Sequence, residues 1–161
     1  MLVPASNAVF AISFAEVAET SESTRLFGWA KTLLQRARER SPDDDSYLLY
    51  LSGYCEYMDP DGKTEDALEW FSRACVCESP DAWAGLYRAH CLHDLKRWAE
   101  AVSAYEAVDL SAFKGPAAWR GEKLREQLGA CRLRTGDIIG ALADYERVLN
   151  IYEIELWTSQ I

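Results

Sequence analysis

The chain has 161 residues, of which 17 are basic and 26 acidic, for a formal charge of −9. That length holds one domain with a sizeable core or a short array of repeats, and the acidic excess argues against nucleic acid or an anionic membrane as a partner and for a basic one. Five cysteines, an odd number, fit a reducing compartment better than a disulfide framework, and no uncharged apolar run reaches the length of a membrane span, so the expected location is cytoplasmic.

Residues 1–6 include Pro4 and read as a lead-in. A first helix is expected from Asn7 to Glu19, with Phe10, Phe14, Val17 and Ala18 on one side. No Lys or Arg precedes Arg25, so this apolar start reads as an ordinary helix rather than a secretory signal. After the capping-rich turn TSEST, the spacing predicts a second helix over Arg25–Arg40 with Leu26, Trp29, Ala30, Leu33, Leu34 and Ala37 inward, stopped by Ser41 and Pro42. Asp43, Asp44 and Asp45 then favour the positive end of the next helix, which carries Tyr47, Tyr50, Tyr54 and Tyr57 on one stripe. The turn DPDG leads into a helix with Thr64 as its cap and Ala67, Leu68, Phe71 and Ala74 buried. Two further helices fall within Ala82–Asp109. Gly115 and Pro116 in SAFKGP mark a break, a longer helix runs over Ala117–Arg134, TGD makes a turn, and the last helix starts near Asp137 and continues past Asn150.

Four of these helices carry one trio, a small residue with apolar residues four and seven positions on: Ala30, Leu34, Ala37; Ala67, Phe71, Ala74; Ala101, Tyr105, Val108; Ala141, Tyr145, Val148. The leading alanines are 37, 34 and 40 residues apart, the period of a repeated helix-turn-helix unit. Two stretches carry more of a pattern: Ala89, Cys91, Leu92, Trp98, Ala101 and Tyr105, and then Leu128, Gly129, Gly136, Asp137, Ala141 and Tyr145. On these residues the chain resembles the tetratricopeptide repeat (TPR) family, over about residues 8 to 150. The resemblance implies an all-α fold, an α-solenoid of about four helix-turn-helix repeats wound as a right-handed superhelix. It implies a single domain, 1–161, with repeats at about 7–42, 43–80, 81–115 and 116–150 and a helical extension over 151–161. In the family's register Tyr47, Leu48, Leu51, Ser52, Tyr54 and Cys55 fall at core positions. Ser52 rather than Gly53 takes the small position, because the other choice would bury Glu56.

The function implied by the resemblance is a protein-interaction scaffold whose first helices line a concave groove for a peptide or helix of a partner. Its groove-lining positions carry over to Leu49, Glu56 and Tyr57; to Trp83, Leu86, Tyr87, His90 and His93; and to Lys123, Glu126, Ala130 and Arg134. Trp83 and Tyr87 are the expected anchors. The family's clamp for a C-terminal carboxylate has Lys and Asn where Leu49 and Gly53 stand, so that ligand is not expected. The alternative is an acidic secretion-type chaperone of the same family, similar in length and charge, that shields a client.

No enzyme is expected, since GxSxG, HExxH, Walker and GxGxxG motifs are all missing from the sequence. His90 and His93 share a helical face and with Asp94 could hold a metal, but a credible site needs three or four ligands, so neither metal nor cofactor is expected. A metal-dependent hydrolase is the least favoured reading. Cys75 and Cys77 would point apart on a helix and match no redox motif. The tyrosine stripe either walls a ligand or packs between repeats, with Tyr47 and Tyr54 inside and Tyr50 and Tyr57 at opposite rims. Arg25, Lys31, Arg36, Arg38 and Arg40 fall on one helix, while eleven acidic residues against two basic lie between Ser41 and Asp81, a field able to steer a charged partner. Finally, Ile151, Ile154, Trp157 and Ile161 would form an apolar stripe beyond the last repeat. A homo-oligomer or a longer parent chain is expected to cover it, rather than an internal cap.

Overall fold

The computed structural model describes residues 24–41 and 45–158, and among them the regular structure is helical throughout, with no strand. The expected helix over Asn7–Glu19, the stop at Pro42, the caps Asp43 and Asp44, and Ile161 lie outside the described residues, as do the side chains of Ile154 and Trp157. The helices are α1 (Thr24–Arg38), α2 (Ser46–Met58), α3 (Thr64–Cys75), α4 (Ala82–Asp94), α5 (Trp98–Glu106), α6 (Trp119–Thr135) and α7 (Ile138–Thr158). They fall into two compact units, the first ending at Leu95 and the second starting at Lys96. No helix among the described residues is long and apolar enough to cross a membrane.

In the first unit α2 is the central element. Leu48, Leu49, Leu51, Ser52, Gly53 and Cys55 are buried around most of its circumference, as a helix in contact with α1, α3 and α4 requires. The Asp45 carboxylate starts it by accepting from the Leu48 N–H at 3.1 Å, and Asp81 starts α4 by accepting from the Trp83 N–H at 2.8 Å. Thr64 does not cap α3; it is already the first helical residue, preceded by Lys63, and Glu65 and Asp66 in the first turn meet the positive helix end instead.

Contacts at opposite ends fix how these helices run. Lys31, midway along α1, has its Nζ 2.7 Å from both Glu56 Oε2 and Asp59 Oδ2 at the far end of α2, whereas Arg38, seven residues further on, donates to the Ser52 hydroxyl nearer the start of α2. The two helices are therefore antiparallel. Burial alone would lower the Lys31 pKa, but its hydrogen bonds to Asp59 and Glu56 outweigh this and hold it above the ordinary lysine value. Ser46, at the start of α2, donates to the Ala74 carbonyl at the end of α3 (3.1 Å), so α2 and α3 are antiparallel too. Between α2 and α4 the pairs Tyr50 with Tyr87 and Tyr57 with Asp94 are each 37 residues apart, which makes those helices parallel.

The same 37-residue step separates Ala30, Leu34 and Ala37 from Ala67, Phe71 and Ala74, and all six are fully buried. Other expectations need correction. Trp29 is 49% exposed and Phe27, not named from the sequence, is buried in its place; Tyr47 is 43% exposed, while Tyr50 and Tyr54 pack. Gly53, buried beside Ser52, marks a close approach of α2 to α3: a Cβ there would stand 2.7 Å from Phe71 Cε1. Glu56 is half-buried and paired with Lys31, which it shares with Asp59.

The second unit is built on a hairpin of α6 and α7, with α5 packed on α6. Gly136, at φ 86°, closes α6 in the left-handed conformation, and the Asp137 N–H returns to the Arg132 carbonyl at 2.9 Å. The Asp137 carboxylate then accepts from the Gly140 N–H at 2.9 Å to start α7. Arg132 is the polar centre of this unit, bonded to the buried Asp144, to Glu106 at 2.5 Å and to Asp137 at 3.5 Å. Gly129 approaches Tyr145, and Ala101, Tyr105, Ala141 and Val148 are buried, with Val108 and Tyr145 half-buried. The SAFKGP break consists of two single turns, Leu110–Ala112 and Gly115–Ala117, seated by the buried Phe113.

Candidate interaction surface

The parallel helices α2 and α4 bring together tyrosines from one and aromatic and polar side chains from the other. Tyr87 is the centre of this group. Its ring meets Tyr54 edge-on at 5.3 Å, Tyr57 at 5.8 Å and His90 at 5.7 Å, stacks on Phe71 of α3 at 5.6 Å, and lies 6.1 Å from Tyr50. These separations are those of favourable ring pairs. The Tyr57 hydroxyl donates to Asp94 Oδ2 at 2.6 Å, and His93 Nδ1 lies 3.2 Å from the other oxygen of the same carboxylate. Burial and the bond to Asp94 push the Tyr57 pKa upward, so it stays a hydrogen-bond donor throughout the physiological range.

Only part of the expected groove set is accessible. Leu49, Leu86 and Tyr87 are buried, and Leu49 and Tyr87 belong to one hydrophobic cluster with Phe71 and Cys91, so these are core side chains and not contact residues. Glu56 is committed to Lys31 and to the Lys63 N–H at 3.1 Å. Tyr57, Trp83, His90 and His93 are half-buried and keep surface toward solvent. In the second unit Lys123 pairs with Glu126 at 2.9 Å, Ala130 is half-buried, and the Arg134 guanidinium lies 5.9 Å from the centre of the Trp98 ring. The pairing of Tyr57 with Asp94 was not foreseen, although its 37-residue separation repeats the spacing of the alanines.

His90 turns to the Tyr87 ring while His93 turns to Asp94, so the two imidazoles serve different partners. Among the described residues no group of three or more His, Cys, Asp or Glu is placed to hold a metal ion. Burial pushes the thiols of Cys55 and Cys91 up to about 12 and that of Cys131 up to about 11, which keeps them protonated and poor nucleophiles. Cys77 lies in the turn after α3, not on the helix, so the helical geometry assumed for its relation to Cys75 does not apply. No protein-family model and no curated protein matches the chain.

Proposed function

We propose that the chain is a TPR-like helical-repeat module that binds a peptide or helix of a partner protein and carries out no chemistry of its own. The observation that carries this reading is the face shared by α2 and α4, where Tyr57, Trp83, His90 and His93 offer half-buried aromatic and polar surface held by a packed layer of rings beneath. Such side chains lose little entropy on contact and supply large area, the features of interface anchors. The 37-residue step between α2 and α4, equal to that between the buried trios of α1 and α3, supports a repeat origin for this face. The acidic balance of the chain favours a basic partner.

The reading is tested by selecting peptides from a displayed library against the full chain and measuring the winners by calorimetry. Trp83→Ala and His90→Ala are expected to weaken binding, with at least one of them losing about 2 kcal/mol as an anchor does. Binding that survives both substitutions, yet is lost on changes elsewhere on the surface, would move the contact face away from α2 and α4.

A further inference from the structure

Trp70 of α3 is flanked by two guanidinium groups: Arg38 from α1 with its Cζ 4.4 Å from the ring centroid, and Arg73, one turn along α3, at 4.9 Å. Among the described residues neither is hydrogen-bonded to or paired with a carboxylate. Arg38 donates to the Ser52 hydroxyl, which itself donates to the Leu48 carbonyl at 2.7 Å, and Arg73 rests on the indole. The contrast with the other partly buried cations is sharp. Lys31 has two carboxylates and Arg132 three, in a chain where acidic residues outnumber basic ones by 26 to 17.

The Arg38 side chain opens into a cleft of about 210 Å³ between α1, α2 and α3, lined also by Thr32, Gln35, Ser52 and Trp70. Glu56 and Lys31 reach it as well but are paired with each other at 2.7 Å, and Lys31 also holds Asp59. Burial, and then the positive charge of Arg73, lower the Arg38 pKa and outweigh the opposing charge of Glu39. A guanidinium presents a planar fork of donors that matches carboxylate and phosphate oxygens, and an aromatic wall excludes water from one side of such a pair.

We propose that this cleft binds an oxyanion, a carboxylate or phosphate group on a small body, with Arg38 as the direct donor, Trp70 as the wall and Arg73, outside the lining but on the same indole, as a second positive charge acting through space. The volume admits the charged group and a short attached chain, not a folded partner. This site does not depend on the α2 and α4 face, and its occupant has the opposite charge to the partner favoured there.

The experiment is thermal melting of the full chain in increasing inorganic phosphate, and separately in glutarate, at ionic strength held constant with sodium chloride. A ligand that binds only the folded state raises Tm with its concentration and saturably in occupancy. Wild-type protein is expected to respond in this way to at least one of the two, and the anion that acts identifies the group the site prefers. Arg38→Gln is expected to abolish the response. Should that variant fail to fold, Arg73→Gln carries the test, because Arg73 is exposed; it is expected to weaken the apparent affinity by about tenfold, as loss of a charged partner does. Arg25→Gln, which removes the same charge from a single Arg–Trp contact on α1, is expected to respond as wild type does. No response to either anion, or equal responses in wild type and Arg73→Gln, would overturn the proposal in favour of a general salt effect.

Discussion

At the scale of single residues, Tyr87 has the largest consequence. It is 7% exposed and touches five other rings, so removing it opens a cavity beneath the whole α2 and α4 face. Tyr87→Ala is expected to cost about 3–5 kcal/mol of stability, the range for large aromatic truncations in cores. Trp83→Ala, at a half-buried position, is expected to cost less, and urea unfolding of both variants checks the order. A Tyr87 variant as stable as wild type would return that residue to the role of exposed anchor. The sequence places Tyr87 and Trp83 on the same expected lining because a repeat register fixes the direction of a side chain. It does not fix its depth. Depth here depends on the rings that α2 and α3 put in front of it, and Tyr50, Tyr54, Tyr57 and Phe71 together cover Tyr87 while leaving Trp83 partly open. The Arg38, Trp70 and Arg73 group was illegible for the same reason: it joins two helices through exposed or half-buried positions, and the buried periodicity says nothing about them.

At the scale of elements, helix positions were legible because small residues recur where helices cross. Ala30, Ala37, Ala67 and Ala74 are fully buried as the trio implied, α6 lies within two residues of its expected limits, and α7 starts one residue after Asp137 and runs past Asn150. Of the expected core positions of α2, Leu48, Leu51, Ser52 and Cys55 are buried, and Gly53 is buried beside them. Glu56 is half-buried rather than uncompensated, because Lys31, 25 positions earlier in the chain, reaches it from the antiparallel α1. Gly53 gives a direct test. A methyl group there would stand 2.7 Å from the fully buried Phe71, which has no free direction in which to move. Gly53→Ala is expected to cost about 1–3 kcal/mol, the range for overpacking. Gly129→Ala should cost less, since its added carbon meets Tyr145 at 3.1 Å and that ring is half-buried and able to shift. Equal urea midpoints for the Gly53 variant and wild type would show that α2 and α3 separate more easily than their packing suggests.

At the scale of the whole molecule, the two compact units each have their own buried thiols, Cys55 and Cys91 in the first and Cys131 in the second. A repeat array is stabilised by interfaces between neighbours, so that in a short array the loss of one repeat exposes the next. Two independent domains have no such link. The proposed array therefore predicts that all three buried thiols become reactive over one denaturant range. In native protein at pH 8 labelling should be confined to the half-buried Cys75 and Cys77, with Cys77, in the turn after α3, the faster, since burial also raises the Cys75 pKa. The buried three are held protonated as well as covered, so each should label only when its own surroundings open. Pulsed alkylation across a urea series, with each cysteine peptide quantified by mass spectrometry, gives a separate midpoint for every site. Coincident midpoints for Cys55, Cys91 and Cys131 are the expected result. A Cys131 midpoint clearly below those of Cys55 and Cys91 would mean that residues from Lys96 onward unfold by themselves, and the continuous repeat array would give way to two autonomous helical units.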